Sequence, residues 1–157
     1  MHRILFVCTG NICRSPSAEG IFRHMVREAG LEHLIETDSA GTHGYHVGEP
    51  PDGRSQAAAR LRGYDLSDLR ARKVELDDFR TFDLLVAMDR GHQAILTRMA
   101  SAQGAHKVRL LMSYASGSGY EEVPDPYYGG PDGFELVLDL LERGSRGLLA
   151  AVTRELR

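Results

Sequence analysis

The sequence predicts an α/β fold in which a parallel sheet carries helices on both faces. Three observations predict it. Short apolar runs alternate with helical patterns along the 157 residues, and that alternation is what successive β-α-β units produce. The runs at residues 4–7 and 82–88 are almost continuously apolar, as strands buried on both faces must be. No repeat, linker or low-complexity block divides the chain, so residues 1–157 read as one domain, long enough to bury a full core.

The elements follow in order. ILFV at residues 4–7 is the first strand. After the loop CTGNICR, Ser15 and Pro16 read as an N-cap followed by proline in the first helical turn, and Glu19 places negative charge at the end that favours it. Ile21, Phe22, Met25 and Ala29 form an apolar face, and Gly30 ends the helix. Residues 34–38 are a weaker second strand. Residues 40–53, AGTHGYHVGEPPDG, are rich in glycine and proline and read as a loop. A helix at 54–62 stops at Gly63. A strand at 82–88, a helix at 91–99 and a strand at 107–112 follow, then a long loop at 113–133. The last helix is patterned by Phe134, Val137, Leu138, Leu141, Leu148 and Val152. Gly144 and Gly147 weaken its middle by about 1 kcal/mol each relative to alanine, which favours a kink.

Composition narrows the function. The chain is 42% hydrophobic and 26% charged with a net charge of −3, which argues against nucleic acid or an anionic membrane as partner. The first apolar run is too short for a signal peptide or a membrane span, so the cytoplasm is the expected compartment. Cys8 and Cys13 are the only cysteines, which fits neither a secreted disulfide framework nor a paired zinc motif. No cluster of carboxylates or cysteines joins His43 and His46, which read as exposed loop residues, with no metal expected. Arg70, Arg72 and Lys73, offset by Glu75, Asp77 and Asp78, read as a solvated face.

Ligands of such folds bind at the carboxyl ends of the strands. The loops after all four predicted strands therefore meet at one edge. A strand-to-helix loop aims backbone N–H groups inward, and with the helix dipole these make an anion site. Gly10 and Asn11 tolerate the left-handed conformation that curls such a loop. The nucleotide-binding pattern GxxxxGK[ST] is absent. Instead Arg14 closes the ring with a planar fork suited to two phosphate oxygens. Cys8 lies beneath, in the kind of positive field that favours a thiolate nucleophile. An oxyanion held above a nucleophile predicts phosphoryl transfer through a cysteinyl phosphate. Ser15 could steady the sulfur or cap the helix, but its one proton serves a single acceptor at a time. The leaving oxygen needs an acid. Asp125, held between Pro124 and Pro126, is the first candidate and Asp89 its rival. Tyr127, Tyr128 and Tyr45 could wall a slot for an aromatic ring.

CTGNICRSP at residues 8–16, with Asp125-Pro126-Tyr127-Tyr128 far downstream, resembles the low-molecular-weight protein tyrosine phosphatases. The match extends through DSAGT at residues 38–42 and through residues 82–89. The resemblance implies a four-stranded parallel sheet in order 2-1-3-4, a phosphatase I-like three-layer sandwich. It implies Cys8 as nucleophile, Arg14 as phosphate clamp and Asp125 as general acid and base. Thr9, Gly10, Asn11, Ile12, Cys13, Arg14 and Ser15 would bind phosphate. Asn11 would keep the loop curled through hydrogen bonds that include Ser39, and Ser15 would support the thiolate. Ile12, Tyr45, Tyr127 and Tyr128 would line the substrate cleft. Cys13 could capture an oxidised Cys8 as a reversible disulfide. No cofactor is expected. The partner would be a phosphotyrosine protein, a bacterial tyrosine kinase among the candidates, and the protein would act as a monomer. Tyr45 stands where some members carry tryptophan, and His92 where some carry asparagine.

Three other readings compete. A thiol-dependent arsenate reductase needs further cysteines to relay a disulfide. An arginine phosphatase places threonine where this chain has Ile12. A non-catalytic phosphotyrosine-binding module could dispense with Cys8 or Asp125.

Overall fold

The structure, a computed structural model, describes residues 1–127 and 129–156. Tyr128, expected at the cleft, lies outside the described residues. The chain runs β1 (His2–Cys8), α1 (Arg14–Glu28), β2 (Ile35–Gly41), α2 (Gly53–Leu61), α3 (Asp78–Thr81), β3 (Leu84–Ala87), α4 (Arg90–Met99), β4 (Val108–Leu110) and α5 (Pro131–Glu155). Short 3-10 turns at Ala105–Lys107 and Leu111–Tyr114 flank β4.

The four strands form one parallel sheet in the order β2-β1-β3-β4. Alternation along β1 divides its side chains between two cores. Ile4 and Phe6 join Phe22 of α1 and Leu138 and Leu141 of α5 on one face. Leu5 and Val7 join Leu85, Ala87 and Leu96 on the other. Phe6 meets Phe22 edge to face at 5.5 Å, a geometry the ring quadrupole favours. All of Ile4, Leu5, Phe6 and Val7 are buried, which explains the unbroken apolar run.

The register fixes the functional edge. Cys8 pairs with Gly41, and Val7 with Ala87, which in turn pairs with Leu110. The carboxyl ends of all four strands are therefore level, and the segments leaving them share one rim. Strand order reverses between β1 and β3, the place where α/β sheets bind ligands.

Several boundaries differ from the sequence reading. Cys13, not Ser15, precedes α1 and makes no capping bond with its side chain. Ser15 is inside the first turn, and its hydroxyl is engaged elsewhere. The strands expected at 82–88 and 107–112 pair only over Leu84–Ala87 and Val108–Leu110, because the chain turns at both ends. The four-residue α3 is too short to show a helical period. The helix α5 runs unbroken for 25 residues. A Cβ on Gly147 would lie 1.9 Å from the Tyr114 carbonyl oxygen, and one on Gly144 2.7 Å from Leu111 Cγ. These glycines let the Leu111–Tyr114 turn approach the helix closely; they do not break it.

Candidate active site

The loop between β1 and α1 has to curl within five residues. Asn11 supplies the turn: at φ 59° it is the one non-glycine residue with positive φ among those described. Its side chain spends every polar atom holding that shape. Nδ2 donates to Ser15 Oγ at 2.8 Å and to Ser39 Oγ at 3.0 Å, and Oδ1 accepts the Arg72 N–H at 3.0 Å. Ser39 Oγ donates onward to Glu19 at 2.8 Å. Gly41 lets β2 close against this loop, since a Cβ there would sit 2.6 Å from the Thr9 carbonyl oxygen.

The loop carbonyls turn outward. Those of Cys8, Thr9 and Ile12 accept N–H groups of Thr42, His43 and Asp52 at 2.8–3.0 Å, and that of Cys13 accepts from Ser17. No acceptor among the described residues takes the backbone N–H groups of residues 9–15. Those donors gather at a helix N-terminus, an arrangement suited to an anion.

Cys8 is buried, with Sγ 2.9 Å from Ser15 Oγ. Because Asn11 donates to that hydroxyl, Ser15 is free to give its own proton to the sulfur; its other acceptor, the Ala40 carbonyl, is more distant at 3.4 Å. Arg14 is the first residue of α1, and only 4% of its side chain is exposed. Nη1 donates to Asp89 Oδ2 at 2.8 Å and to the Val123 carbonyl at 3.0 Å. Nη2 lies 3.5 Å from Thr9 Oγ1 and 3.6 Å from Asp125 Oδ2.

The two candidate acids are set apart by their surroundings. Burial pushes the Asp89 carboxyl up, but the His92 backbone N–H and ring, together with Arg14, more than reverse this and hold it below the usual range. Asp89 also caps α4 through the His92 N–H. It is a structural anion and a poor proton donor. Asp125 is 42% exposed, and Oδ1 accepts the Tyr127 N–H at 2.9 Å. That turn leaves Oδ2 facing the Arg14 guanidinium.

A cleft of about 200 Å³ opens over the sulfur, lined by Cys8, Gly10, Ile12, Tyr45, Asp125 and Tyr127, with Thr9, Cys13 and Arg14 at its base and His46 in the wall. A larger recess of about 870 Å³ lies behind Arg14 and Asp125 along residues 115–125. Cys8 does not line it, so the chemistry belongs to the smaller cleft. Its size and mixed walls suit an aromatic ring bearing one anionic group. Tyr45 stacks on His43 with centroids 5.1 Å apart, and most of its surface is open. Cys13 is buried, and that burial pushes its thiol up to about 12. Among the described residues, no group of three or more histidines, cysteines or carboxylates is placed to hold a metal.

The structure thus brings together Cys8, Thr9, Gly10, Asn11, Ile12, Cys13, Arg14, Ser15, Ser39, Tyr45, Asp125 and Tyr127. It also corrects two readings. His46 is part of the cleft wall and contacts Glu49, and is not a bland loop residue. Arg72 is not on a solvated face: it forks onto Asp78 at 3.0 and 3.1 Å, reaches Asp38 at 3.1 Å and presents its N–H to Asn11. Glu19, Val123 and Asp52 support the site without any local sequence signal, because their roles depend on distant partners.

The sequence model of the family described as "Low molecular weight phosphotyrosine protein phosphatase" matches residues 3–157. A low molecular weight protein-tyrosine-phosphatase of Streptomyces coelicolor is 53% identical over 157 aligned residues, covering 98% of this chain and 95% of that protein. The crystal structure of YfkJ from Bacillus subtilis superposes with a TM-score of 0.95 at 40% identity, covering 100% of this chain and 98% of the other. That of a protein tyrosine phosphatase from Entamoeba histolytica gives 0.96 at 36% identity, with both chains fully covered.

Proposed function

Because the chain belongs to the low molecular weight phosphotyrosine protein phosphatase family, we propose that it hydrolyses phosphotyrosine in proteins through a cysteinyl-phosphate intermediate, with residues 1–157 as one catalytic domain. The observation that carries this reading is the convergence of Cys8, Arg14 and Asp125 on one small cleft. The phosphoryl group sits among the free N–H groups of residues 9–15, with two oxygens on the Arg14 fork. Cys8 Sγ attacks phosphorus as the ester bond to the tyrosyl oxygen breaks. The Asp125 carboxyl gives its proton to that oxygen. Water then attacks the cysteinyl phosphate, Asp125 takes one of its protons, and the S–P bond breaks to release inorganic phosphate. The Ser15 hydroxyl donates to the sulfur as it leaves. Ile12, Tyr45 and Tyr127 grip the aromatic ring, and the apolar Ile12 favours a phenyl over a guanidinium. A monomer is part of the same reading. Two free buried thiols suit the reducing cytoplasm, where a tyrosine kinase is a fitting substrate.

Cys13 acts in this reading as a resolving thiol for oxidised Cys8. With its thiol held near 12, the reactive thiolate is scarce at neutral pH and capture is slow.

The test is phosphate release from matched phosphotyrosine, phosphoarginine and phosphoserine peptides. Phosphotyrosine should be preferred, Cys8→Ser should abolish release, and Asp125→Ala should lower it by about a hundredfold or more. Preference for phosphoarginine would overturn the ring-gripping role of Ile12. Binding of phosphotyrosine without any release would indicate a recognition module. After peroxide and then thiol treatment, Cys13→Ala should recover less activity than the parent; equal recovery removes Cys13 from the scheme.

A further inference from the structure

We propose that Arg54 is a positioning residue that keeps the Asp125 loop in register with the phosphate loop; this rests on the reading of Asp125 as the acid. Arg54 sits at the second position of α2 and reaches both ways. Its Nε and Nη2 donate to the two carboxylate oxygens of Asp52, each at 3.1 Å. Asp52 is fixed in turn to the phosphate loop, because its N–H donates to the Ile12 carbonyl at 2.8 Å. On the other side, the guanidinium carbon lies 5.2 Å from the centre of the Tyr127 ring and 4.9 Å from that of Phe134. Tyr127 holds Asp125 Oδ1 through its N–H, and Phe134 is buried in the opening turns of α5.

One side chain therefore spans from the loop that carries the nucleophile to the loop that carries the acid. Arginine is suited to the task. Its planar group donates in the plane to a carboxylate while its π-faces remain available to aromatic rings. Lysine offers a point charge and no such plane. The contact is about half exposed on the Arg54 side, whereas Asp52 is mostly covered, so the strut borders the cleft and is not part of the core.

A strut between these loops matters when the acid must meet the leaving oxygen. It matters little when the leaving group departs without a proton. That distinguishes it from a residue that merely holds α2 in place. Truncating Arg54 leaves the helix cap, since Asp52 Oδ1 accepts the backbone N–H groups of Arg54 and Ser55 whatever side chain stands at position 54.

The experiment compares kcat/KM for phenyl phosphate, whose leaving group needs protonation, with p-nitrophenyl phosphate, whose leaving group does not. Arg54→Ala and Arg54→Lys should each lose about tenfold on phenyl phosphate and less than about twofold on p-nitrophenyl phosphate. Competitive inhibition by inorganic phosphate should be unchanged, because the phosphate loop is intact. In an Asp125→Asn background, Arg54→Ala should cost nothing further, as expected of two residues acting as one unit. Equal losses on both substrates, a weakened phosphate affinity, full activity in both Arg54 variants, or an undiminished loss in the Asp125→Asn background would each overturn the proposal. If Asp125→Asn itself loses no more on phenyl phosphate than on p-nitrophenyl phosphate, the acid assignment fails first, and the role of Arg54 falls with it.

Discussion

Glu19 and His92 are two buried ionisable residues behind the phosphate loop, and they respond to pH in opposite senses. Glu19 accepts from Ser39, and burial pushes its carboxyl up to about 7 from 4.5; Ser39 and Arg23 pull it down, while Asp38 and Asp68 push it up. The folded state thus holds a proton that the unfolded chain releases. Its contribution is present below pH 4.5 and is lost as pH rises to about 7, on the order of 3 kcal/mol. His92 is the reverse. Burial lowers it to about 4 from 6.5; Asp89 and Asp125 oppose that, and Arg14 and His43 reinforce it. The unfolded chain takes up a proton that the folded one refuses, so stability rises from pH 4 to 6.5. The two slopes largely cancel between pH 4.5 and 6.5. Urea midpoints taken from pH 4 to 8 should therefore vary little from these groups in the parent. Glu19→Gln should leave a clear rise toward neutral pH, and His92→Asn a clear fall. Profiles parallel to the parent's in both variants would contradict this account. The catalytic candidates were legible in the sequence because their chemistry is local: thiol, turn residue and guanidinium lie within seven positions, and Asp125 stands between two prolines. The buried roles of Glu19 and His92 were not, although the resemblance marks position 92, since each looks like an ordinary charged or polar residue in an early helical turn. Only Ser39, Thr9 and Asp89, brought in by the sheet, give them a role.

Among the elements, the glycines of α5 show where local propensity misleads. On propensity alone, alanine at 144 or 147 should stabilise the helix by about 1 kcal/mol. Packing decides otherwise. At Gly147 the added methyl would meet the backbone carbonyl of Tyr114 at 1.9 Å, which no side-chain rotation relieves. At Gly144 it would meet the end of Leu111 at 2.7 Å, and a leucine can turn aside. Gly147→Ala should therefore destabilise by about 2 kcal/mol or more, and Gly144→Ala by clearly less. Chemical unfolding of the two variants checks the ranking, and equal or stabilising effects would show that the 3-10 turn yields. The same contrast explains which elements the sequence disclosed. The helices α1, α4 and α5 carry a full period and were visible. The strand β4 pairs over three residues, and the apolar residues that follow it belong to the Leu111–Tyr114 turn, so hydrophobicity alone ran past its end. The four residues of α3 hold no periodic signal; they are placed by Asp78, which accepts the Glu75 N–H and the Arg72 fork.

For the molecule as a whole, parallel pairing converts four separate loops into one site. Each strand delivers its successor loop to the same rim, so residues as distant as Cys8, Ser39, Asp89 and Asp125 assemble without any contact between them in sequence. The order β2-β1-β3-β4 puts β1 in the interior of the sheet, so the curled loop that ends it is supported from both sides. On one side stand Ser39 and Gly41, on the other Asp89 and Val123. A site built in this way should report its occupancy in global stability, because only the folded chain presents the ring of N–H groups and the Arg14 fork. Inorganic phosphate at a hundred times its Kd should add about 2.7 kcal/mol. For a chain of this length that is about 5–10 °C in Tm. Phosphate also stabilises proteins generally by exclusion from their surfaces, so the informative quantity is the difference between variants. Arg14→Lys, which keeps the charge but loses the fork, should lose most of the shift. Asp125→Asn should retain it or gain slightly, because the carboxylate facing Arg14 at 3.6 Å competes with the anion. An identical phosphate response in all three proteins would mean that the rim does not hold the anion, and the convergence of the four strand ends would then need another ligand.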